Sequence, residues 1–246
     1  VQQVEAGEEV EIRNTTEERG VIVLAGPKAR DVLSGLTDAS LENADFPWRT
    51  GQHVEIAGIP LLALRINYVG ELGWELHPAM ADLPALYEAV WAAGEAHGIA
   101  DFGLYAMNSL RMEKGYRGWG AELTNEVTML EADMARFYAS AKEDFVGKTA
   151  TENNEAGSLR LVYFEVEAED ADVRGGEPIF LGDTCVGVTT SGGYGYAVEK
   201  SLGFGYVPPE QAEPGSVIDI GILDARCRAT VLAEPIYDPA NERLAS

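Results

Sequence analysis

A phenol and two carboxylates, Tyr68, Glu71 and Glu75, fall in one short run, Tyr68-Val69-Gly70-Glu71-Leu72-Gly73-Trp74-Glu75. A carboxylate accepts two parallel N–H bonds in the fork geometry it uses with arginine. Glu71 or Glu75 could therefore hold the amino-pyrimidinone edge of a flat, nitrogen-rich ligand such as a pterin, with the Tyr68 phenol beside it. On spacing alone, a corner decorated with Tyr and Glu is more often a solvated turn than a clamp, and Glu71 in particular has the place of a turn residue. A second run, Ser109-Leu110-Arg111-Met112-Glu113-Lys114-Gly115-Tyr116-Arg117-Gly118-Trp119-Gly120, adds Arg111, Tyr116, Arg117 and Trp119. Aromatics alternating with glycine and arginine suit the rim of a cleft, and packing of Trp119 against the core fits as well. Arg111 would serve a ligand, or would neutralise Glu75, Glu113 or a helix terminus. Tyr194, in Gly192-Gly193-Tyr194-Gly195-Tyr196, fits a rim or a turn equally.

Other chemistries find no support. His53, His77 and His97 are isolated in the sequence and the two cysteines are unclustered, so no metal site is expected. There is no Gly-x-Ser-x-Gly elbow, no Cys/His nucleophile context and no dinucleotide fingerprint. The glycine run around Tyr194 has neither a following helix nor a lysine at the phosphate-loop position.

The elements that must position these residues can be read from periodicity. The chain from Arg65 reads as a strand entering a corner at Gly70 and Gly73, where the missing Cβ permits angles and close approaches that other residues cannot make. Before it come a strand at 20–25, a Gly26-Pro27 turn and a helix at 28–36 with Ala29, Val32, Leu33 and Leu36 on one face. Paired strands at 53–57 and 60–68 follow, around Gly58. After the corner, Asp82 is expected to cap a helix at about 83–97 stopped by Gly98. Asp101 is expected to cap another at about 102–114 closed by Gly115, with Arg111 in its last turn, where cations are favoured. Residues 131–137 suggest a helical turn and 152–158 a linker. Short strands at 159–166, 177–181, 184–190, 201–207, 217–222 and 225–232 are then punctuated by Gly175-Gly176, Gly182-Asp183, Gly192-Gly193 and Pro208-Pro209, the pattern of a small antiparallel β-barrel. The fold class is α+β, with one domain at 1–150 and a barrel domain at 151–246. Residues 1–19 are polar and acidic and read as strand or linker.

The chain has 246 residues, 46% of them hydrophobic, enough for a substantial core, and no apolar run reaches the roughly 18–20 residues of a membrane span. Its net charge of −23 comes from 41 acidic against 18 basic residues, only five of them lysine. Such a surface repels phosphate backbones and anionic lipid, so neither nucleic acid nor membrane is expected as a partner. Cys185 and Cys227 are expected as buried free thiols in a reducing compartment. The sequence opens on Val1 with no signal-peptide pattern, which suggests a start inside a longer polypeptide.

The two runs quoted above, together with Ala233-Glu234-Pro235-Ile236-Tyr237-Asp238-Pro239, resemble the folate-binding family of the glycine-cleavage T-protein. Within it they are most similar to the C-terminal portion of dimethylglycine oxidases and dehydrogenases and their sarcosine-oxidising relatives. The resemblance covers nearly the whole chain. It implies the second half of a T-protein-like folate-binding domain (a strand-helix unit, a hairpin and two helices) followed by the barrel, with Asp144-Phe145-Val146-Gly147-Lys148 matching the phrase that introduces the last domain. Glu75 matches the glutamate that accepts hydrogen bonds from the pterin, Tyr68 the tyrosine beside the folate, and Arg111 the arginine of the Leu-Arg-x-Glu helix. Glu71, Tyr116, Arg117, Trp119 and Tyr194 are further candidates. The family's proton-handling aspartate lies in a Gly-Gly-x-x-x-Asp region that residues 1–66 do not match, so no catalytic residue is expected here. Residues 131–136 depart from a common Gly-Leu-Gly.

The function so implied is the tetrahydrofolate-binding part of a dimethylglycine/sarcosine-type oxidoreductase that yields 5,10-methylenetetrahydrofolate. Tetrahydrofolate is the expected cofactor, and FAD is expected in a flavoprotein domain or subunit that carries the other half. Cytoplasm is the expected location, or the mitochondrial matrix for a eukaryotic source. The alternatives are an aminomethyltransferase of the glycine-cleavage type and a non-catalytic folate-binding module.

Overall fold

A computed structural model describes residues 7–153 and 157–246. The expectations at 1–19 and 152–158 therefore lie partly outside the described residues. The chain divides into two compact units. One holds the chain up to Asn67, Glu71–Asp101 and Asn241–Ser246; the other holds Tyr68–Gly70 and Phe102–Ala240.

In the first unit the strands β1 (Ile22–Ala25), β2 (Gly51–Ile56), β3 (Ile59–Leu64) and β4 (Gly73–His77) form an antiparallel sheet in the order β1-β4-β3-β2. Ala57 and Gly58, both with positive φ (53° and 77°), close the β2–β3 hairpin in two residues, the turn whose twist matches that of paired strands. Side chains alternate across the sheet. Leu24, Leu61, Ala63, Trp74 and Leu76 share one face and pack with Val32 and Leu33 of α1 (Ala29–Ser34) and Leu86 and Val90 of α2 (Leu83–Gly94). β4 was not expected as a strand, because the glycines before it read as a continuing corner.

Two expected caps are absent. Asp82 has φ −93° and ψ −8° at the end of a 3-10 turn, so its backbone is already helical and its side chain makes no capping bond. Asp101 instead accepts from the Tyr87 hydroxyl at 3.0 Å, and the next helix begins two residues later than expected. Gly98, at φ 75°, ends the preceding helical segment as expected.

The second unit begins its regular structure with α3 (Leu104–Glu113), closed by Gly115 at φ 61°. A 3-10 turn at Ala135–Phe137 is shorter than the helical turn expected there, and α4 (Lys148–Asn153) occupies the start of the expected linker. The strands β5 (Arg160–Val166), β6 (Pro178–Leu181), β7 (Thr184–Gly195), β8 (Lys200–Val207), β9 (Val217–Ile222) and β10 (Ala225–Val231) close into a barrel in the order β10-β5-β8-β7-β6-β9. Val162, Phe164, Ile179, Ile218 and Ile220 are among the residues of its main core, while Met112 of α3 packs in a second cluster with Tyr163, Phe204 and Tyr206. β7 runs on through Gly192 and Gly193, which read as a turn in sequence. A Cβ at Gly192 would lie 2.5 Å from Val173 Cβ, so Gly192 serves close packing, and both glycines lie within the strand rather than at a chain reversal. Both cysteines are free, but Cys185 sits exposed near the start of β7 and Cys227 is half-buried, against the expectation of buried thiols.

Candidate ligand-binding site

In the first unit the site is built on β4. Gly73 pairs with Ala25, and a Cβ there would lie 2.6 Å from the Leu24 carbonyl oxygen, so glycine lets the strand join the sheet. Trp74 and Leu76 are fully buried, and the period of two then places Glu75 and His77 on the opposite face. Glu75 stands in register with Val23 on one side and Leu64 on the other, and its Oε2 lies 3.2 Å from Nε2 of His77. An acidic group with apolar strand neighbours makes stronger charge-assisted hydrogen bonds than one in open water. Glu71 is half-buried, and its backbone carbonyl accepts from Asn67 Nδ2, in keeping with a turn residue.

In the second unit the candidates gather at the end of α3. Gly70, at φ 79°, itself lies against the Lys114 side chain, whose Cγ would be 2.1 Å from an added Cβ, so only glycine fits two residues after Tyr68. The Tyr68 hydroxyl donates to the Arg117 carbonyl at 2.6 Å, and its ring stacks on Tyr116 with centroids 5.9 Å apart and planes 21° from parallel. Burial pushes both phenols above their ordinary pKa, opposed at Tyr68 by Arg111 and reinforced at Tyr116 by Asp238.

Arg111 is buried. Its Nε donates to Asn108 Oδ1 at 3.0 Å, and its Nη1 donates to the Tyr116 carbonyl at 2.9 Å and to Glu122 Oε2 at 3.1 Å. Nη2 makes no hydrogen bond among the described residues, so one arm of the fork remains for a ligand carboxylate or carbonyl. Glu122 is wholly buried, and it also accepts from the Gly118 amide at 2.6 Å, Thr190 Oγ1 at 2.6 Å and Ser191 Oγ. Of the alternatives for Arg111, Glu113 is engaged elsewhere: its Oε1 takes the amide protons of Ala197 and Val198.

Arg117 pairs with Asp133, donates to the Gly115 carbonyl at 3.2 Å and lies over the Phe204 ring. Burial lowers its pKa, with Asp133 opposing. Trp119 is 89% exposed, which removes core packing as its role. Tyr194 lies on β7 opposite Ser201, edge-on to Tyr196 at 5.1 Å, so it belongs to a strand rather than a turn. Its carbonyl accepts from Ser109 Oγ at 2.6 Å, and Asn108 Nδ2 donates to the Gly192 carbonyl at 2.9 Å; together these bonds pin α3 to β7.

The structure thus links Tyr68, Arg111, Tyr116 and Arg117 in one bonded group, with Tyr194 tied to α3, and places Glu71 and Glu75 in the other unit. Sequence reasoning missed Glu122 and set His77 aside. An acid in a glycine-rich loop carries no signal of burial, and an i, i+2 contact is visible only once the strand is known. Among the described residues no group of three or more His, Cys, Asp or Glu could hold a metal ion, and no helix is long and apolar enough to cross a membrane.

Comparison with known proteins follows the same lines. The chain is 41% identical over 98% of its length to human mitochondrial dimethylglycine dehydrogenase. It is 37% identical over 95% to mouse mitochondrial sarcosine dehydrogenase and 34% identical over 94% to an aminomethyltransferase of Listeria welshimeri. It spans 28%, 26% and 63% of those proteins respectively. The crystal structure of the glycine cleavage system aminomethyltransferase T from Bartonella henselae superposes on 90% of the chain with a TM-score of 0.79 at 25% identity, the match spanning 60% of that protein. The GCVT N-terminal domain matches residues 1–142 and the glycine cleavage T-protein C-terminal barrel domain matches residues 160–238, so the chain belongs to the glycine cleavage T-protein family.

Proposed function

We propose that this chain is the tetrahydrofolate-binding part of a dimethylglycine/sarcosine-type oxidoreductase, with residues 1–150 serving as the second half of the folate-binding domain and 151–246 as the barrel domain. The observation that carries the reading is Glu75. It is a carboxylate on the outward face of β4 with apolar neighbours in register on both sides, and it meets the donor pattern of an amino-pyrimidinone edge. Within the second unit, Arg111, with Nη2 to spare, and the stacked Tyr68 and Tyr116 offer a cation and flat surfaces of the kind a folate uses. Glu71 in the first unit, and Arg117, Trp119 and Tyr194 in the second, are the further candidates for folate contact.

Tetrahydrofolate, when bound, would supply the two nitrogens, N5 and N10, that the one-carbon unit bridges in 5,10-methylenetetrahydrofolate. The residues here bind and orient it, so that a reactive one-carbon fragment meets its acceptor before water does. Oxidation of the N-methyl amine is assigned to a flavoprotein domain or subunit outside these residues, since no dinucleotide fingerprint occurs in them. The relatives named mitochondrial suggest the matrix for a eukaryotic source and the cytoplasm otherwise.

Charge-assisted hydrogen bonds contribute about 1.5–3 kcal/mol each, so Glu75→Gln is expected to weaken tetrahydrofolate binding by about 10- to 100-fold in a calorimetric titration. Unchanged affinity would remove Glu75 from the site. An aminomethyltransferase is the second reading, favoured by the 63% of the Listeria protein that the chain spans; stimulation of turnover by a lipoylated carrier protein would support it over the first.

A further inference from the structure

His77 lies two residues beyond Glu75 on β4, on the same face, with its Nε2 3.2 Å from Glu75 Oε2. Both side chains are about a quarter exposed, at 24% and 28%. The residues opposite Glu75 are Val23 of β1 and Leu64 of β3, and the residue opposite His77 is Leu62. None of these side chains can hydrogen-bond. The last torsion of a glutamate is broad, so without the imidazole nothing on the neighbouring strands would fix the plane of the carboxylate.

A carboxylate that clamps two parallel N–H groups must hold that plane aligned with the ligand edge. We propose that His77 is a positioning residue that orients Glu75 for this clamp. The proposal rests on the reading of Glu75 as the pterin acceptor. The imidazole N–H takes one lone pair of Oε2. About three of the four acceptor sites of the carboxylate remain, enough for both ligand bonds, so His77 orients without blocking. The bond requires a proton on Nε2.

The test is tetrahydrofolate titration of the polypeptide carrying this chain, in wild type, His77→Leu, His77→Gln, Glu75→Gln and the Glu75→Gln/His77→Leu double variant. A glutamine amide nitrogen can reach where Nε2 stands, so His77→Gln should bind within about twofold of wild type, whereas His77→Leu should bind about 3- to 10-fold more weakly. In the Glu75→Gln background the leucine substitution should have no further effect, because its partner has already been altered. Wild-type affinity in His77→Leu, or the same loss repeated in the double variant, overturns the proposal while leaving Glu75 as the acceptor. A Glu75→Gln variant that binds like wild type overturns the underlying reading and this proposal with it.

Discussion

Glu122 receives four hydrogen bonds at a position with no exposure, and one of them comes from a guanidinium that is itself buried. Removing one partner of such a pair leaves the other charge without compensation in a medium that solvates it poorly. Glu122→Ala should therefore cost about 3–5 kcal/mol of stability in urea unfolding. Trp119→Ala, at an exposed position, should change stability by no more than about 0.5 kcal/mol in the same measurement. These two residues also show what the sequence could convey. Glycines around Trp119 allow either burial or a rim, and only the fold decides between them. The burial of Glu122 depends on a turn that brings it under β7, eleven residues beyond Arg111. Glu75 was legible as a carboxylate of interest, but its outward placement follows from strand periodicity between Trp74 and Leu76, which was hidden while β4 read as a corner.

Among the elements, β8 shows how the barrel supports the cluster around α3. Its Tyr206 hydroxyl donates to the Glu122 carbonyl at 2.7 Å, and burial, with Glu122 and Glu131 adding to it, pushes the phenol up to about 12. Below the ordinary phenol value of about 10 the group is neutral folded and unfolded, and its contribution to stability is complete. Between there and its folded value the unfolded chain ionises first, so stability falls as pH rises through that window. Tyr206→Phe should cost about 1 kcal/mol near neutrality, from the lost hydrogen bond, and should show a shallower alkaline decline in unfolding midpoints. An identical decline in both proteins would assign the effect to other tyrosines. At this scale the sequence was most readable where period and punctuation agreed: all six barrel strands were anticipated, as were the hairpin around Gly58 and the helix stops at Gly98 and Gly115. It misled where a residue type has two uses. Gly192 and Gly193 pack within a strand, and Asp82 and Asp101 precede helices without capping them.

For the molecule as a whole, the order of three motifs revealed the family although no single spacing did, because a shared fold constrains residues far apart in sequence. Since the chain spans 28% of human dimethylglycine dehydrogenase, its proposed chemistry is that of a folate site serving an oxidation performed elsewhere. The central claim is therefore a coupling between that oxidation and this site. The most direct measurement uses the native-length protein supplied with dimethylglycine, its electron acceptor and tetrahydrofolate, and follows how the released carbon divides between 5,10-methylenetetrahydrofolate and free formaldehyde. The wild type is expected to give mainly methylenetetrahydrofolate. Glu75→Gln is expected to oxidise the amine at an unchanged rate with formaldehyde as the main product. A protein that does not oxidise N-methyl amines, or a product ratio that Glu75→Gln leaves unchanged, would rule the coupling out.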